Sequence, residues 1–127
     1  MSEVVLDASV LIAIFKNEQF EENVLDVIEG AVMGAANYAE VWTKLHDFGL
    51  TDSSQVEAVF GLLGRIEPFT VSQARLAADL RLATKHAGLS LGDRACLALA
   101  LEIGGEVYTA DRPWSRVDVG CVIHLIR

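Results

Sequence analysis

Four acidic residues stand at points where short apolar runs give way to other structure. Asp7 directly follows Val4-Val5-Leu6, and Asp111 lies two residues beyond Thr109, at the end of Val107-Tyr108-Thr109. Glu40 and Asp93 each come three residues after a residue suited to begin a helix, Asn37 and Ser90. Carboxylates gathered in one place have a chemistry of their own. Two of them about 5 Å apart, at an effective dielectric near 20, repel by roughly 3 kcal/mol. A gathered set therefore raises its members' pKa values or holds a cation. Oxygen donors without Cys or His select hard ions, Mg²⁺ or Mn²⁺. Such an ion can lower the pKa of a bound water and stabilise in-line displacement at phosphorus, so phosphodiester hydrolysis is the reaction this set would serve. The hydroxyls of Ser9 and Thr109 are placed to orient a carboxylate or a metal-bound water.

Each acid also has an ordinary structural explanation. Asp7 suits a helix N-cap. Asn37-x-x-Glu40 and Ser90-x-x-Asp93 both match a capping box, in which the acid reaches back to the cap residue's own N–H. Asp111, before Arg112-Pro113, suits the start of a turn. Capping accounts for Glu40 and Asp93 singly, so the case for a site rests on convergence.

The elements that must bring them together follow from periodicity and punctuation. Strands are expected at Glu3–Leu6, Ala31–Gly34, Ile66–Phe69, Glu106–Thr109 and Val122–Ile126. Helices are expected at Ala8–Lys16, Glu21–Glu29, Asn37–Phe48, Ser53–Leu63, Val71–Ala87 and Gly92–Ile103, four of them stopped by Gly49, Gly64, Gly88 and Gly104. Strand–helix alternation implies right-handed crossovers and a mostly parallel sheet. Ligands of such sheets sit beyond the carboxyl ends of the strands. Asp7 and Asp111 follow strands, whereas Glu40 and Asp93 fall in first helical turns, so all four are expected at one sheet edge.

The chain has 127 residues, enough for one domain with a real core, and 52% of them are hydrophobic, as suits a sheet covered on both faces. No apolar run reaches the roughly 18–20 residues of a membrane span. Val4–Phe15 has Asp7 in its middle, no basic region before it and no small-residue cleavage site after it, so it reads as a buried strand entering a helix. Cys96 and Cys121 cannot build a disulfide framework and are expected to fill the core, consistent with a cytoplasmic protein. His46, His86 and His124 are scattered without metal spacing. The net charge is −8, with 2 basic and 11 acidic residues up to residue 64 and 8 basic and 7 acidic after it. That balance repels phosphates and argues against a metal-free nucleic-acid-binding module, but less against a nuclease whose ions neutralise its site.

The segments VLDAS around Asp7, NYAEVW (Asn37–Trp42), LSLGDRACLALA (Leu89–Ala100) and VYTADRPW (Val107–Trp114) resemble the successive acidic motifs of PIN domains, and most resemble those of VapC-type toxins of toxin–antitoxin pairs. The resemblance spans nearly the whole chain. It implies a three-layer α/β/α sandwich over residues 1–127 and a Mg²⁺- or Mn²⁺-dependent ribonuclease site. Asp7, Glu40, Asp93 and Asp111 would be its metal-binding and catalytic acids, with Ser9 and Thr109 as supporting hydroxyls. It also implies an RNA substrate, a cognate antitoxin and a homodimer. Among basic residues near the acids, Arg112 is the best candidate to hold the RNA backbone, ahead of Arg94, expected to point about 100° away from Asp93, and Arg116. Trp114 and Trp42 could stack bases, although core or interface packing suits Trp42 better. Arg75 and Asp79 should form a surface ion pair, Arg81 and Lys85 a solvated face, and Leu11, Ile14 and Phe15 a core stripe. A phosphoacceptor receiver needs adjacent acids after strand one and a late Lys, and a haloacid-dehalogenase-like phosphatase needs D-x-D; the D-A-S at Asp7–Ser9 fails both. A PIN-like module without catalysis, or an RNA-processing nuclease outside a toxin–antitoxin pair, remains the alternative.

Overall fold

The structure, a computed structural model, describes residues 2–19 and 21–127. Five strands form one fully parallel sheet in the order β3-β2-β1-β4-β5, with β1 Val4–Leu6, β2 Val32–Gly34, β3 Arg65–Glu67, β4 Glu106–Thr109 and β5 Ile123–Leu125. The central strands carry apolar side chains on both faces, which is what a sheet covered on both sides requires. Leu6 and Met33 pack into one core with α1 (Ala8–Phe15), α2 (Val24–Ile28), α3 (Ala35–Phe48) and α4 (Ser54–Leu62). Val5, Val32 and Val107 pack into the other with α5 (Val71–Asp79) and α7 (Leu91–Ile103). The result is the expected three-layer α/β/α sandwich. The stripe Leu11, Ile14 and Phe15 lies in the first core, and Cys96 in the second.

Several expected elements differ in extent, the second helix among them at Val24–Ile28, and three do so for a clear local reason. The helix predicted over Val71–Ala87 is broken at Leu80 into α5, a short α6 (Arg81–Thr84) and a 3₁₀ turn at Lys85–Ala87. Thr84 Oγ1 donates to the Leu80 carbonyl at 2.9 Å, and such back-bonding to the carbonyl four residues earlier bends a helix. The third strand ends at Glu67, because Pro68 has no N–H to continue the ladder. Helix α3 starts at Ala35, directly after Gly34, two residues earlier than expected. That shift removes the capping box at Asn37 and moves Glu40 from the first turn to the second.

β1 lies at the centre, paired with β2 on one side and β4 on the other. Leu6 is opposite both Met33 and Tyr108. The first residues after β1 and β4 therefore emerge side by side, and the Asp7 N–H donates to the Tyr108 carbonyl at 3.0 Å. Register alone thus brings Asp7 to the Thr109–Asp111 segment.

Candidate active site

Asp7 is buried at the start of α1, where its extended backbone makes it the N-cap. Its Oδ2 accepts from Ser9 Oγ at 2.6 Å, from Thr109 Oγ1 at 3.1 Å and, at 3.4 Å, from the Ser9 N–H. Both hydroxyls also accept a backbone N–H: Ser9 from Ala110 at 2.9 Å, and Thr109 from Asp111 at 3.1 Å. A hydroxyl has one proton, so each hydroxyl passes it to Asp7 while its own oxygen is held by the chain after β4. Three bonds on Oδ2 fix the rotamer of a carboxylate whose Oδ1 takes none of them. Ser9 and Thr109 thus both reach the Asp7 carboxylate.

Asp93 sits in the first turn of α7, in the expected capping box. Its Oδ2 accepts from the Ser90 N–H at 2.8 Å, and its own N–H donates to Ser90 Oγ at 3.2 Å. Asp111 begins the 3₁₀ turn at Arg112–Arg116, its carbonyl accepting from the Trp114 N–H. Capping and clustering are therefore compatible. Asp7, Asp93 and Asp111 each present a carboxylate oxygen within 4.8 Å of the others. Glu40, from the second turn of α3, lines the same cleft but stands outside that set of three.

The cations in the cleft are not those the sequence singled out. Arg112 is exposed and does not line the cleft, because the 3₁₀ turn carries it away from Asp111. Arg94 lies half-buried against α5, donating through Nη1 to the Ala77 carbonyl at 2.9 Å instead of facing solvent or the site. Lys16 and Arg127 line the cleft instead, with Glu18 between them: Lys16 Nζ is 3.2 Å from Glu18, and Arg127 pairs with the same carboxylate. They come from the end of α1 and the residue closing the described chain, and no local motif marked either one. Trp114 is buried in the core and cannot stack on a base; Trp42 stacks on Phe60, centroids 5.2 Å apart. Arg75 and Asp79 form the expected surface pair. His86 donates to the Arg116 carbonyl, and His124 pairs with Glu106, both away from the acids.

The electrostatics are those of acids that are buried first and crowded second. Burial pushes the Asp7 carboxyl from 3.8 up to about 7; the Ser9 and Thr109 bonds oppose this, and Asp93 and Asp111 add to it. Glu40 is raised by burial and by Asp93 and Asp111, against the pull of a bond from Asn37. Asp111 is raised by burial and then by Asp93. The donor set fits a hard divalent cation. All donors are oxygens, one from each of three carboxylates within 4.8 Å of one another, and such a set would hold a hard ion of the Mg²⁺ or Mn²⁺ kind.

The PIN domain family model matches residues 4–120. A comparison with curated proteins gave no match. Among solved structures, DNA-bound VapBC from Salmonella typhimurium is 17% identical with a TM-score of 0.74, covering 97% of this chain and 97% of that one. VapC20 of Mycobacterium tuberculosis, a sarcin–ricin loop cleaving toxin, is 15% identical with a TM-score of 0.69, covering 89% of this chain and 93% of that one. FitAcB from Neisseria gonorrhoeae is 22% identical with a TM-score of 0.65, covering 95% and 96%. The order β3-β2-β1-β4-β5, the acids gathered beyond its central strands and the match over nearly the whole chain agree: the chain belongs to the PIN domain family.

Proposed function

We propose that this chain is a Mg²⁺- or Mn²⁺-dependent endoribonuclease and the cytoplasmic toxin of a type II toxin–antitoxin pair, inhibiting translation by cutting RNA. The observation that carries the reading is the approach of Asp7, Asp93 and Asp111, from three separate segments, to within 4.8 Å. Asp7, Asp93 and Asp111 would hold the ion, and Glu40 would add negative charge from α3. A divalent ion bound there supplies Lewis-acid stabilisation of the charge that develops on the phosphoryl oxygens. The protein's own residues do the rest. Ser9 and Thr109 fix the Asp7 carboxylate, while Lys16 and Arg127 supply positive charge at the rim for the phosphates flanking the cut. The toxin assignment is supported by the shared fold with VapBC and with VapC20, itself a toxin that cleaves the sarcin–ricin loop. A cognate antitoxin and a homodimer belong to the same proposal. No helix among the described residues is long and apolar enough to cross a membrane.

The test is cleavage of a structured RNA by the purified chain, freed of any partner, with Mn²⁺ or Mg²⁺ and with EDTA. Metal-dependent cleavage that Asp93→Asn abolishes is the expected result. Binding of RNA without cleavage under any metal would overturn the nuclease reading in favour of a silent PIN-like module. Cleavage without growth arrest on expression would overturn the toxin assignment and leave an RNA-processing nuclease.

A further inference from the structure

Glu40 stands apart from the other three acids, and two features fix where it stands. Asn37 is fully buried, and its Nδ2 donates to Glu40 Oε1 at 2.8 Å and to the Gly92 carbonyl at 3.1 Å. Both partners are acceptors, so the amide has one workable orientation; its Oδ1 is left buried with no partner. An orphaned buried acceptor is costly, and its retention calls for an explanation. The second feature is Gly92. A Cβ built there would lie 2.6 Å from both carboxylate oxygens of Glu40. The Glu40 carboxylate therefore rests against the bare Cα of the residue preceding Asp93. Gly92 has no positive φ to explain it, so the missing side chain is what this close approach requires.

We propose that Asn37 and Gly92 are positioning residues for Glu40, one tethering its carboxylate and the other clearing its seat, so that α3 presents it to the metal-binding acids at the start of α7. This rests on the metal-dependent reading above. The crowding atoms at Gly92 are the far end of a flexible side chain, so Gly92→Ala can relax by moving Glu40 and leave the rest of the fold in place. Asn37→Ala removes the tether but also hollows a buried site, which makes Gly92→Ala the cleaner variant.

The experiment is Mn²⁺ binding by the full chain, measured by electron paramagnetic resonance, in a double-mutant cycle. Moving a full negative charge away from a divalent ion should cost about 10-fold in metal affinity. Gly92→Ala should therefore weaken Mn²⁺ binding by about 10-fold or more, yet do so by less than about 2-fold when Glu40→Gln is already present. An equal loss in both backgrounds would mean that Gly92 acts through Asp93 or the fold, and would overturn the proposal; so would no loss in either. A metal-free arm separates this from failure of the nuclease reading. The Asn37 side-chain amide protons, followed by ¹H–¹⁵N NMR with EDTA, should be protected from exchange and lose protection in Gly92→Ala. If the protein binds no Mn²⁺ while the amide responds in this way, the metal reading falls and the tether stands. An amide indifferent to Gly92→Ala sinks the tether.

Discussion

Replacing Asp7 by Asn should stabilise the metal-free protein, and by an amount that depends on pH. The Asp7 carboxyl titrates near 3.8 in the unfolded chain and at about 7 in the folded one. A raised folded pKa means that the native state binds the proton more tightly. Stability is therefore fullest below pH 3.8 and falls as pH rises through about 7. At 1.36 kcal/mol per unit, the buried charge costs about 4 kcal/mol at pH 8 but only about 1.5–2 kcal/mol at pH 5, where most native molecules hold the proton. Asn carries no charge, and its oxygen can still accept from Ser9 and Thr109, with weaker neutral bonds giving back about 1–2 kcal/mol. Urea denaturation in EDTA should show the variant about 2 kcal/mol more stable at pH 8, with an advantage about 2–3 kcal/mol smaller at pH 5. Glu40 and Asp111 titrate in both proteins, so the difference between the two reports the Asp7 charge together with its coupling to Asp93 and Asp111. With saturating Mg²⁺ the order should reverse, since only the native carboxylate gains from the ion. Parallel pH profiles in EDTA, or a variant less stable at pH 8, would refute the claim that Asp7 is a buried charge awaiting a cation.

The other expectations concern neighbouring residues. Asp93→Asn should lower metal-dependent cleavage by about 100-fold or more, yet shift Tm by no more than about 4 °C, because Asn can still accept from the Ser90 N–H; a collapse in Tm would make the residue structural only. Lys16→Ala and Arg127→Ala should each weaken RNA binding and reduce the slope of log affinity against log salt by about 0.7–1. Arg112→Ala should leave that slope unchanged, and the opposite pattern in fluorescence anisotropy would restore the assignment drawn from sequence. Trp114→Ala should destabilise the fold by about 3–5 kcal/mol in urea, and a loss below about 1 kcal/mol would show that the indole is not the core residue described above.

The acidic set was legible because strand ends and helix starts are marked by strong local signals. Alternation of short apolar runs with glycine-stopped helices fixed the parallel sheet, and Asp7, Asp93 and Asp111 follow from where such sheets gather ligands. The sequence places Glu40 one turn early in its helix, since Asn37 resembles a cap and Gly34, which serves as the cap without a side chain, resembles nothing. The cations that line the cleft have no comparable signal in the sequence. Adjacency in sequence to Asp111 favoured Arg112, whereas the positions of Lys16 and Arg127 depend on how α1 ends and how the chain returns after β5. Such packing leaves no periodic trace. The pairing of Asn37 with Gly92 was equally invisible, because it joins two helices 55 positions apart.

The central position of β1 has a consequence for how the protein folds. The Asp7 carboxylate is held by Thr109, 102 positions later in the chain, and β1 is flanked on that side by β4. Contacts of such long range form late, after the intervening loop has closed. The cleft is therefore incomplete until β4 has docked beside β1, and only then do Asp7 and Asp111 come together. The gathering of the acids is thereby a late event of folding, tied to completion of the sheet and not to any one segment.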